Sequence, residues 1–123
     1  MQGASQICRF VNTTAHGTVL LAYAGRGEPE GPAFLRLAGS NSSVAGLVVF
    51  YPEWRREDVP PIPYPPCILA QDVENVAIQD CLLVNPYEGI RLIRAHRHLV
   101  RNVGGYPIWR GLYVDECYDI GRV

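Results

Sequence analysis

Ile68-Leu69-Ala70, Ile90-Arg91-Leu92 and Leu112-Tyr113-Val114 repeat one phrase, apolar-any-apolar, and the step from 68 to 90 equals that from 90 to 112. Each is followed by a second short apolar stretch: Val76-Ala77-Ile78, then Leu99 to Val103, then Ile120 to Val123. The step between the two is nearly constant as well, from 70 to 76, 92 to 99 and 114 to 120. Strands this short cannot bury a face alone. A fixed period of about 22 residues containing two of them implies an all-β solenoid in which each period forms one stacked turn.

The pattern extends backwards through Leu35-Arg36-Leu37, followed by Val44 and Leu47, but the step from Leu35 to Ile68 is half as long again as the regular period. The surplus falls in the stretch from Pro52 to Pro66, which holds six prolines. Proline lacks the amide a sheet ladder needs, so residues 53–66 are expected to leave the turn as an inserted loop. The regular turns then occupy 67–123, and residues 1–32 form an irregular first turn of the same single domain. Within that first turn, Ile7-Cys8-Arg9-Phe10-Val11 and the stretch from His16 to Ala24 read as strands. Glycines and prolines between Gly25 and Pro32 close the second of them. Val44 to Tyr51 is the longest apolar run, apolar on both parities, and predicts a strand covered on both faces. Asn85-Pro86-Tyr87-Glu88-Gly89 and Gly104-Gly105-Tyr106-Pro107 read as matching punctuation before successive strands. Prolines and glycines interrupt every window long enough for a helix.

At 48% hydrophobic and 19% charged, with a net charge of −1, the chain lacks the basic excess of a nucleic-acid-binding face. No run approaches the roughly 20 apolar residues of a membrane span. The start, Met1-Gln2-Gly3-Ala4-Ser5-Gln6, has neither the basic nor the apolar region of a secretory signal. Cys8, Cys67, Cys81 and Cys117 lack paired zinc-site spacing and read as small buried thiols. Asp80-Cys81 and Glu116-Cys117 place two of them at comparable turns.

Gly39-Ser40-Asn41-Ser42-Ser43-Val44-Ala45-Gly46-Leu47 with Phe50-Tyr51-Pro52, Asn85-Pro86-Tyr87-Glu88-Gly89-Ile90, and the run from Arg110 to Arg122 resemble the pectate-lyase-like superfamily. The resemblance spans roughly residues 16–123. It implies a right-handed parallel β-helix, and within the superfamily it points to bacterial pectate lyase or glycosyl-hydrolase-like proteins acting outside the cytoplasm or in the periplasm. The superfamily also holds non-enzymatic adhesins and tailspikes. Such relatives continue for several more turns, so this chain is expected to represent an N-terminal portion. Its last turn is expected to stay open, with self-association through that end as the consequence.

If the outer residues of each phrase point inward, their central residues Arg36, Leu69, Arg91 and Tyr113 form a column on one outer face. Arginine pairs with a sugar carboxylate and tyrosine stacks on a ring, so Arg36, Tyr113 and the loop residue Trp109 are candidate polysaccharide-binding residues. The catalytic candidates are Asp72, Arg91 and Asp115. Asp72 and Asp115 lie at comparable turns two strands apart, close to about 10 Å at a strand spacing of about 4.8 Å, which suits a glycosidase pair. The superfamily's lyases often use an arginine as base. The acids do not cluster as calcium requires, His96-Arg97-His98 lacks a third ligand, and no metal or cofactor is assigned. The functional expectation is a lyase or glycoside hydrolase acting on polysaccharide, or a non-catalytic glycan-binding or structural β-helix module that self-associates.

Overall fold

The computed structural model describes residues 2–3, 7–9, 19–23, 25–118 and 121–123, with residues 2–3 and 7–9 described by their backbone alone. It is all-β, with no helix among the described residues. Its strands are β1 (Gln2–Gly3), β2 (Ile7–Arg9), β3 (Leu20–Leu21), β4 (Leu35–Leu37), β5 (Ser43–Ala45), β6 (Val48–Phe50), β7 (Ile68–Glu74), β8 (Ala77–Val84), β9 (Glu88–His96), β10 (Leu99–Tyr106) and β11 (Arg110–Asp115). Every strand pairing is parallel. One sheet has the order β1-β4-β7-β9-β11, and the other runs β2-β5-β8-β6-β3 with β10 also on β8. The chain therefore passes back and forth between two sheets; from β7 onward each pass adds one strand, whereas β2 and β3, and β5 and β6, enter the second sheet as consecutive pairs.

The registers follow the repeated phrase. Leu35, Ile68, Ile90 and Leu112 stand opposite one another along the first sheet, as do Leu37, Ala70, Leu92 and Val114. In the second sheet Val44, Ile78 and Val100 align. These columns face inward, and Leu35, Leu37, Val44, Ile68, Ala70, Ile78, Ile90 and Leu92 are all buried. Burying such a side chain stabilises by about 1.5–3 kcal/mol each, so the stacked columns are the core.

Corners between strands are made by residues in the left-handed region. Three vertical sets recur: Asp72, Arg94 and Glu116; Asn41, Asn75 and Arg97; and Gly46, Asp80 and Asn102. Asparagine and aspartate tolerate this conformation better than most residues. Stacked corner side chains also bond one another. Asn75 Nδ2 donates to Asn41 Oδ1 at 2.8 Å, and Asn102 Nδ2 donates to Asp80 Oδ1 at 2.8 Å.

The corners explain three departures from the sequence reading. The run Val44 to Tyr51 is two short strands on either side of Gly46, not one strand covered on both faces. Burial falls on Val44, then Leu47, Val49 and Tyr51, because the left-handed residue resets the alternation. Gly104 to Tyr106 is not punctuation but the end of β10, opposite Leu82 to Val84. Cys81 and Cys117 both point inward just after a left-handed residue, yet they belong to different corners, after Asp80 and Glu116. In the first turn, the described residues of the His16 to Ala24 stretch form strand at Leu20–Leu21, which pairs with β6 in the second sheet. Residues 16–18 and 24, like Phe10, Val11, Asp119 and Ile120, lie outside the described residues. Among the described residues no helix is long and apolar enough to cross a membrane.

The inserted loop folds back onto the segment after β3. Arg26 forms an ion pair with Asp58 at 3.0 Å, and Gly27 N donates to Pro63 O at 2.8 Å. Gly25, at φ 71°, lies so close to Pro65 that a Cβ there would sit 2.5 Å from the proline ring.

Cys67, wholly buried under this loop, has its thiol pushed up to about 12 by burial. The fold therefore favours the neutral thiol, and that preference is fully present below the usual thiol value of about 8.5 and lost as pH rises toward 12. Between about pH 9 and about pH 10, Cys67→Ala is expected to reduce the decline of stability by about 1 kcal/mol. Urea unfolding of both proteins at the two pH values checks this. Equal slopes refute it.

Candidate functional site

The site lies where the first sheet begins. Asn85 turns the chain out of β8 in a left-handed conformation, and Pro86 is buried behind it. The next turn repeats the path directly above: Ile108 N donates to Pro86 O at 2.8 Å and Trp109 N to Tyr87 O at 2.9 Å. This stacking sets Glu88, the first residue of β9, opposite Arg110, the first residue of β11.

Glu88 is 1% exposed. Arg91 Nε donates to its Oε1 at 2.6 Å, Arg91 Nη2 to its Oε2 at 3.2 Å, and Arg110 Nε to Oε2 at 2.7 Å. Burial of a carboxylate is tolerable because both oxygens are bonded by cations. The pairing with Glu88 in turn raises the pKa of Arg91. The Arg110 guanidinium lies 3.8 Å from the Trp109 ring centroid and 3.9 Å from that of Tyr113. Tyr87 leans on Trp109 with centroids 5.4 Å apart. Tyr87, Glu88, Arg91, Trp109 and Arg110 border a cleft of about 390 Å³, whose other wall is Pro29, Glu30, Pro63 and Tyr64; Tyr113 lies behind Arg110, outside its lining. Its size is that of a small-ligand site. The Tyr64 hydroxyl is buried without a hydrogen-bond partner. Burial raises its pKa, and Arg26, near it but outside hydrogen-bonding geometry, pulls in the opposite direction.

Arg36, Leu69, Arg91 and Tyr113 do form one column, in direct register across β4, β7, β9 and β11. Of these, Arg91 and Tyr113 join the Glu88 cluster, with Trp109 beside them, while Arg36 is exposed farther along the column. Asp72 and Asp115 are not brought together as matching turn residues. Asp115 stands opposite Ile93, which itself stands opposite Gln71, one position before Asp72. The acid that stacks in line with Asp72 is Glu116, and Arg94 lies between them, ion-paired to both. That pairing lowers the Asp72 pKa, first through the Arg94 hydrogen bond. The pairing of Asp72 with Asp115 is one residue off the repeat step, which sets Asp72, Arg94 and Glu116 over one another.

Glu88 is the residue that sequence reasoning missed. It stood in a run read as turn, and an acid just before an apolar phrase carries no signal of burial. The usable hint was the repeat spacing itself, which sets Arg110 over Glu88. His96 and His98 do not converge: His96 Nδ1 accepts from Tyr118 N at 2.9 Å, and His98 Nδ1 lies 2.9 Å from Ala95 O. Among the described residues no three His, Cys, Asp or Glu side chains gather in a metal-binding group. No protein-family model, curated protein or solved structure matches the chain.

Proposed function

We propose that this chain is a right-handed parallel β-helix, as in the pectate-lyase-like superfamily it resembles, and that it binds polysaccharide in the cleft at the start of its first sheet. The β-helix reading rests on the alternation between two parallel sheets, regular from β7 onward. Right-handedness follows from the strong bias of parallel crossovers toward that hand.

One observation carries the binding reading: a buried carboxylate fixes two guanidinium groups beside an aromatic row of Tyr87, Trp109 and Tyr113. Planar polar groups held rigidly next to aromatic faces meet the two sides of a sugar, its hydroxyl edge and its C–H face. Holding them in place beforehand reduces the entropy lost on binding. A binding module is favoured over a hydrolase because, of the two acids lining the cleft, Glu88 is held by two arginines, which leaves Glu30 without a second free carboxylate to share the roles of general acid and nucleophile.

Affinity electrophoresis against a panel of polysaccharides, with reducing ends and unsaturated products measured in parallel, tests the proposal. Retardation without product is expected. Trp109→Ala should weaken binding about tenfold, the loss of one stacking contact, with little change in thermal midpoint because Trp109 is 55% exposed. New reducing ends that disappear in Asp72→Asn, Arg91→Lys or Asp115→Asn would instead support catalysis. No retardation by any glycan would overturn the binding reading.

A further inference from the structure

Building on the polysaccharide-binding reading, we infer that the cleft selects a neutral glycan through its hydroxyls and disfavours the polyuronates that an arginine-bearing face first suggests. The charged groups lining it are Glu30, Glu88, Arg91 and Arg110, so its formal charges cancel. An acid-binding cleft carries an excess of cations. This one does not.

The donors are partly spent already. An arginine grips a carboxylate best through two parallel N–H groups on one edge. The edge of Arg91 carrying Nε and Nη2 is committed to Glu88, and Arg110 has spent its Nε there. Arg110 is further held by the Trp109 and Tyr113 rings, so it cannot turn freely toward an incoming anion. The Nη1–Nη2 edge left on each arginine donates to hydroxyl oxygens as well as to a carboxylate, so the cancelled charge of the cleft decides between them.

Glu30, on the opposite wall, is exposed and faces the same space. It repels a uronate but accepts from a sugar hydroxyl. A neutral sugar, whose hydroxyls both donate and accept, can use the carboxylates and the guanidinium groups together. Pro29, Pro63, Tyr87 and Trp109 supply apolar surface for its ring.

Calorimetric titration of the whole chain with neutral glucan, xylan, mannan and galactan oligosaccharides, and with oligogalacturonate and oligomannuronate, tests this. At least one neutral chain is expected to bind about tenfold or more tighter than either uronate. Its affinity should change less than about twofold between about 0.05 and about 0.5 M salt, since no net charge is neutralised. Glu30→Gln should raise uronate affinity several-fold by removing the opposing charge. Tightest binding to a uronate, weakening steeply with salt, overturns this inference and leaves the polysaccharide reading standing. Binding to no oligosaccharide overturns both.

Discussion

Glu88→Ala is expected to lower the unfolding free energy by about 3 kcal/mol and the thermal midpoint by on the order of 10 °C. Its carboxylate is 1% exposed and is shared by Arg91 and Arg110, whose side chains are 22% and 28% exposed. Removing one member of a buried pair typically costs about 3–5 kcal/mol, because the partner charge is stranded. Here both stranded cations can reach water, which places the cost at the lower end of that range. Asp72→Asn is the control. That acid is 60% exposed and its ion pair with Arg94 lies in solvent, where screening leaves such pairs little net effect, so the variant's stability should stay near that of the parent chain. Glu88→Gln should fall between the two, since the amide keeps the shape and one acceptor but loses the charge. Urea unfolding of the three variants checks the order. If Glu88→Ala were no worse than Asp72→Asn, the buried arginine cluster would not exist as described, and the cleft built on it would go too.

The same contrast shows what an amino-acid sequence exposes and what it hides. Hydrophobic columns were legible because parallel strands in register demand the same residue class at the same phase. Ile68, Ile90 and Leu112 recur at one fixed step and stand opposite one another. The inserted loop was legible because prolines cannot take part in a ladder. Corners were not, since one residue such as Asp80 or Arg94 in the left-handed region shifts the inward parity without altering composition. At Gly46 that shift split the Val44 to Tyr51 run. The candidate site divided along the same line. Arg91 and Tyr113 drew attention because they lie within the repeated phrase. Glu88 lies just before it, where only the three-dimensional stacking of successive turns reveals its burial.

A pair of neighbouring substitutions tests that alternation most sharply. Leu92→Gln is expected to destabilise by about 4 kcal/mol, and Ile93→Gln by less than about 1 kcal/mol. Leu92 is wholly buried between Ala70 and the last-turn Val114, so glutamine there loses the transfer energy of a leucine and strands an amide without partners. Ile93, one residue on, faces the other way, and its neighbours in register are Gln71 and Asp115. A glutamine between them meets polar side chains and water. Thermal unfolding should separate the variants by on the order of 15 °C. Comparable losses at both positions would mean that β9 is covered on both faces and that the outward column of Arg36, Leu69, Arg91 and Tyr113 has no solvent side. A large separation instead makes that column the accessible face on which any ligand of this sheet must lie.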